Sequence, residues 1–278
     1  MRPHLLVATD FSLPAQKLTR SLGHFQNYGA DKITLVHVRP TSPLWSFSQE
    51  EKHFARQRLE EVADDLRSGG WSVEIQNVSG RPGTQIVSVA AKVQADLIVL
   101  ANQGHGAASE VVLGSVAADV LERARRPVFL FCADAVDDSQ DLATTPMWDR
   151  IICPVDFSEP SMDALQWAIE IATTEWTPMV LLHAVDDRFH SDREAKRRRD
   201  ELEKRRDELR ERGISDLSIQ VVTGHPKKVV AEAGDHYPGA LFVMGSHGRG
   251  WLGDLMLGGV SRSVARRGTH HALFVPGE

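Results

Sequence analysis

The chain is 278 residues long, 42% hydrophobic and 25% charged, a composition that can fill ordinary cores and a length that points to two domains. A formal charge of −6 leaves no broadly basic surface, which argues against nucleic acid or an anionic membrane as the main partner. The N-terminus has no apolar segment ending in a small-residue cleavage site, and no apolar run is long enough to span a bilayer, so a cytoplasmic protein is expected.

In chain order, short apolar runs at 4–9, 33–38, 73–78, 96–101 and 127–132 read as strands buried on both faces, hence parallel. Amphipathic stretches separate them; 15–25 is expected to be a helix capped by Ser12. Residues 134–148, rich in Asp and Thr and without apolar periodicity, read as a linker between domains at 1–133 and 149–278. The pattern then repeats. His4-Leu-Leu-Val-Ala-Thr-Asp-Phe-Ser12 returns as Arg150-Ile-Ile-Cys-Pro-Val-Asp-Phe-Ser158, and His37 returns as His183, both at an offset of 146. Gly80-Arg-Pro returns as Gly224-His-Pro, and Gly104 and Gly114 return as Gly248 and Gly258, at an offset of 144. In the second copy a helix is expected over 162–172 behind Ser158. Strand–helix alternation with right-handed crossovers implies two tandem α/β domains, each a doubly wound parallel sheet.

Ligands of such sheets bind beyond the carboxyl ends of the strands, where strand order reverses. Asp10 and Asp156 end the first strand of each copy, Val38 and Ala184 follow the histidine of the second, and a glycine-rich segment follows the fourth. Glycines that reach φ > 0, ahead of a helix N-terminus, would present N–H donors to an anion such as phosphate.

These features are similar to those of universal stress proteins, and the whole resembles the tandem type. Nucleotide-binding members carry Gly-x-x-Gly, nine residues, then Gly followed by Ser or Thr. The second copy has Gly245, Gly248, nine residues and Gly258 but ends in Gly259, whereas the first has Gly104, nine residues and Gly114-Ser115 but begins with Ala101. The resemblance implies the adenine nucleotide alpha hydrolase-like fold. It also implies that the last strands, around 128–131 and 272–275, meet across an intramolecular pseudo-two-fold. The implied ligand is ATP or a related adenine nucleotide, with Mg2+ accompanying the phosphates. The second copy is the preferred site: Pro154, Val155, Asp156, Ala184, Gly245, His247, Gly248, Arg249, Gly258, Gly259 and Val260. The first, weaker site comprises Asp10, Val38, Gly104, Gly114, Ser115 and Val116. An αL alanine at position 101 would cost roughly 1–2 kcal/mol and crowd the phosphate.

Dimeric single-domain relatives make a homodimer a compatible assembly. No catalytic base and no metal site is expected: the known nucleophile, phosphate-loop and zinc motifs are missing. Adjacent His270 and His271 should point to opposite faces. Cys132 and Cys153 lie in apolar strands and read as buried thiols. The charge run over 191–212, ten basic against eight acidic residues, reads as a solvated helix. Two rival functions remain: an interaction scaffold with decayed sites, and a slow ATP hydrolase.

Overall fold

The computed structural model describes residues 2–41, 49–104, 113–136, 142, 145–186, 192–211, 213–247 and 257–277. The chain divides into two units, Met1–Thr145 and Pro146–Glu278.

In the first unit, strands β1 (His4–Ala8), β2 (Lys32–Pro40), β3 (Ser72–Gly80), β4 (Leu97–Ala101) and β5 (Val128–Phe131) lie in the order β3-β2-β1-β4-β5, all parallel. The central strand is buried on both faces, with Leu5, Leu6 and Val7 inaccessible to solvent, which is why its sequence shows no alternation. The helices are α1 (Leu13–Ser21), α2 (Gln49–Ser68), α3 (Pro82–Lys92) and α4 (Ser115–Arg123). The expected helix over 15–25 is α-helical only to Ser21. It tightens into a 3-10 segment over Leu22–Tyr28 and stops at Gly29, whose φ of 78° only glycine adopts at low cost.

The second unit repeats the plan. Strands β6 (Arg150–Pro154), β7 (Met179–Val185), β8 (Leu217–Thr223), β9 (Ala240–Gly245) and β10 (Ala272–Val275) run parallel in the order β8-β7-β6-β9-β10. The accompanying helices are α5 (Glu159–Glu175), α6 (Asp192–Glu211), α7 (Pro226–His236) and α8 (Gly259–Arg267). The largest inaccessible side chains include Phe129 and Phe131 on β5 and Phe242 on β9 and Phe274 on β10. Burying each such ring contributes roughly 1.5–3 kcal/mol. Among the described residues, no helix is long and apolar enough to cross a membrane.

Strand order reverses between β1 and β4 in the first unit, and between β6 and β9 in the second. In open parallel sheets ligands bind at such a reversal, and in both units it lies beside the turn that follows the first strand.

Candidate functional site

That turn has the same Asp–Ser clasp in both units. Asp10 Oδ1 accepts from the Ser12 backbone N–H at 3.0 Å and from Ser12 Oγ at 2.5 Å; Asp156 Oδ1 accepts from Ser158 at the same two distances. The residue between is forced into the left-handed region, with φ 65° at Phe11 and 62° at Phe157. A non-glycine residue there costs about 1–2 kcal/mol, which the Asp–Ser clasp must offset. In the first copy the Phe11 N–H also donates to Thr9 Oγ1 at 3.1 Å. Each phenylalanine ring lies against the histidine of the next strand, at 4.6 Å for Phe11–His37 and 5.2 Å for Phe157–His183. Those histidines are oriented in turn by Nδ1, which donates to the carbonyl of Thr9 (2.9 Å) or Val155 (2.6 Å).

Facing the turn is the neck of the glycine-rich loop. The Gly114 N–H donates to the Asn102 carbonyl at 2.7 Å, and the Gly258 N–H donates to the Ser246 carbonyl at 2.7 Å. Gly114 and Gly258 are also the N-cap residues of α4 and α8, and neither supplies a capping side chain. The first-turn amides of both helices therefore lack a cap from the N-cap side chain, and with the helix dipole such an end has the chemistry to receive an anion.

In the first unit these parts border a cavity of about 860 Å³. Asp10, Val38, Gly104, Gly114, Ser115 and Val116, the six positions expected from the sequence, all line it. Its volume suits a small-molecule ligand. Phe54 and Ala55 of α2 and Pro82 and Ile86 of α3 add apolar walls, and Arg39 of β2 adds a cation; none of these was legible as a site residue.

In the second unit Pro154 ends β6, Val155 and Asp156 form the turn, Ala184 lies near the end of β7 and Gly245 ends β9. Ser246 Oγ and His247 Nδ1 are 2.7 Å apart. Gly258 caps α8, whose first residues are Gly259 and Val260. Gly248 and Arg249 lie outside the described residues. A side-chain atom not anticipated here is Lys227 Nζ, 3.4 Å from where a Cβ on Gly259 would sit. The matching position in the first copy, Gly83, has no room for a side chain, because a Cβ there would overlap the Asp119 carboxylate.

The structure corrects the reason for several glycines. Gly104, Gly114, Gly245, Gly258 and Gly259 are not among the residues with positive φ; Gly80 and Gly224, at the ends of β3 and β8, are. Gly104 is required by space, since a Cβ would overlap Asp10 Oδ2. Gly245 is required by packing, since a Cβ would lie 2.8 Å from the Pro160 carbonyl carbon and 2.9 Å from the Ser161 nitrogen. Ala101 ends β4 in register with Phe131 and is not left-handed, so the strain expected there does not arise. The N–H groups of Gly114 and Gly258 close the loop neck and do not face the crevice as donors.

Other expectations resolve simply. Both cysteines are buried free thiols, and burial pushes Cys153 up to about 12, far from a reactive thiolate. The charge run forms α6, which buries Leu202 and Leu209 and lays Arg198 over the Phe157 ring at 4.5 Å. His270 Nε2 donates to the backbone carbonyls of Gly234 and Tyr237 at 3.1 and 3.2 Å. Ser12 caps α1, its Oγ accepting from the Ala15 N–H at 3.4 Å, while Ser158 makes no such bond to α5.

The model of the universal stress protein family matches residues 1–131 and again 147–276. A universal stress protein of Mycolicibacterium smegmatis is 24% identical over 293 residues, covering 98% of this chain and 96% of its own. The crystal structure of a universal stress protein from Archaeoglobus fulgidus superposes with a TM-score of 0.74 at 21% identity, over 99% of this chain and 96% of that one. A second Archaeoglobus fulgidus structure, of a universal stress protein in complex with dAMP, is 25% identical, with a TM-score of 0.38, over 47% of this chain and 97% of its own. With the family model matched twice, on a strand order and a turn that are themselves built twice, the chain belongs to the universal stress protein family.

Proposed function

We propose that the chain binds adenine nucleotide and works by being occupied or empty. The observation that carries this reading is the pairing, in each unit, of a helix N-terminus without a side-chain cap and the Asp-Phe-Ser turn across the point of strand reversal. The first turn of α4 or α8 would take the phosphates, and the carboxylate of Asp10 or Asp156 would face the ribose. Mg2+ would travel with the phosphates. Adenine nucleotide is assigned to the second unit, where Lys227 stands beside Gly259 and adds a positive charge at the phosphate end, and where apolar Val185 follows Ala184 at the base end. The cavity of the first unit is the second nucleotide site.

Calorimetric titration of the full chain with ATP, ADP and AMP tests the reading. Binding that weakens with each phosphate removed, and at least severalfold in Lys227→Met, is expected. No heat with any of the three at millimolar ligand, and no nucleotide carried through purification, would leave the interaction scaffold as the function. Phosphate release that stops when Asp156 is replaced by Asn would make the protein a hydrolase instead.

A further inference from the structure

The two copies also differ in chemistry at the end of the crevice remote from the glycine loop. Arg39 follows Val38 on β2 and lines the first-unit cavity, half-buried. Its Nε donates to Asn77 Oδ1 on β3 at 3.1 Å, and among the described residues its two terminal Nη groups meet no partner. The second copy has Val185 in place of Arg39, and Val221, in register with His183, in place of Asn77, in register with His37. Arginine and its tether are thus both present in one copy and both absent from the other.

The position decides what Arg39 can meet. The phosphate end lies after β4; β1 separates β4 from β2, so Arg39 stands about 10 Å across the sheet from it. Between them stands the Asp10 carboxylate, which repels any further phosphate carried on the ribose. Beyond Asp10 the walls are apolar, from Val38, Phe54 and Ile86, and suit the faces of a base. Arg39 therefore faces the base edge.

Guanidinium donates and cannot accept. The N7 edge of adenine pairs an acceptor with a donating amino group, whereas that of guanine or hypoxanthine presents two acceptors, N7 and O6, which a guanidinium meets with two parallel bonds. We propose that the first unit selects a 6-oxopurine nucleotide, guanine or hypoxanthine, through Arg39 held by Asn77, so that the two units take different purines. The inference rests on the reading of this cavity as a nucleotide site. Asn77 acts as a positioning residue: by occupying Nε it holds the guanidinium of this cavity-lining arginine and leaves its two Nη groups to meet the base.

The test titrates the full chain with GTP, inosine triphosphate and ATP, in the wild type, in Arg39→Met and in Asn77→Val. GTP and inosine triphosphate should bind with similar affinity, because the 2-amino group is not read. Arg39→Met should weaken both about tenfold or more while moving ATP less than about twofold. Asn77→Val should shift both ligands in the same direction by a smaller factor, and it stands in should Arg39→Met fail to fold. Three results overturn the proposal: no binding of either 6-oxopurine nucleotide, binding that is indifferent to both substitutions, or an equal loss of ATP affinity. GTP binding without ATP binding would refute adenine in the second unit and leave this assignment standing; ATP binding without GTP binding would do the reverse.

Discussion

Replacing Gly245 by alanine separates a packing glycine from a ligand-binding one. The added methyl would lie 2.8 Å from the Pro160 carbonyl carbon and 2.9 Å from the Ser161 nitrogen, both main-chain atoms at the start of α5. Backbone cannot step aside as a long side chain can, so α5 must shift against β9. Overpacking of this kind costs about 1–3 kcal/mol. At roughly 3–5 °C per kcal/mol for a unit of this size, the second unit should lose about 3–15 °C in Tm. Ala101→Gly, the same exchange reversed in the first copy, removes one methyl from a strand end and should cost at most about 1 kcal/mol. Thermal unfolding followed by calorimetry, with and without ATP, reads both. If Gly245→Ala leaves the transition in place yet abolishes ATP binding, the glycine serves the ligand, and the packing argument is wrong.

Gly259→Ser adds a hydroxyl where the Cβ would meet Lys227 Cε at 3.0 Å, a contact that the flexible lysine can relieve. ATP affinity by calorimetry should rise severalfold, given about 1.5–3 kcal/mol for a hydrogen bond to a charged oxygen less the cost of moving Lys227; a fall would mean that Lys227 is the stronger contact. Gly104→Val drives a branched side chain into Asp10 and should abolish nucleotide binding in the first unit alone, leaving ATP in the second unit unchanged by titration. His4 is buried and hydrogen-bonded to Thr34, and burial, with the charge of Lys32 adding to it, holds its pKa below the ordinary 6.5. The unfolded chain therefore takes up the proton first, and stability should fall as pH drops below about 6.5; His4→Gln should flatten that acid limb in denaturant melts.

Repeat, strand positions and the crevice were legible because they rest on local rules: apolar runs for buried parallel strands, an offset shared by several landmarks, and ligand binding at strand ends. The roles of individual glycines were not. A glycine kept for φ > 0 and one kept because a neighbour fills the Cβ volume read alike in a sequence. Gly80 and Gly104 are one of each, separable only once Asp10 is seen against Gly104. Lys227 and Ile86 were hidden for another reason. They reach the crevice from helices that follow β8 and β3, at a distance along the chain that no local pattern spans. Arg39 was one residue from an expected contact, but without Asn77 opposite it reads as an ordinary charge at a strand end.

The duplication also shows which parts of the crevice are interchangeable. Main-chain geometry is common to both copies: the loop neck closes at 2.7 Å in each, and the strained phenylalanines differ by only 3° in φ. Side chains carry the difference, and they do so in pairs. At the N-terminus of the helix after the glycine-rich loop the first copy combines Ser115 with Gly83, and the second combines Gly259 with Lys227. Asp119, which bonds Arg81 and Arg123, fills the space over Gly83, so a lysine there would have to displace a carboxylate already held by two arginines. Asp119 is buried while both arginines reach solvent, so displacing it would move a buried carboxylate away from the cations that compensate it. A hydroxyl on α4 is thus the solution compatible with Asp119, and an ammonium from α7 is the one compatible with its absence. A single exchange such as Gly83→Lys should therefore destabilise the first unit without improving its affinity, whereas Gly83→Lys joined with Asp119→Ser, the residue found at the matching position 263, should recover stability.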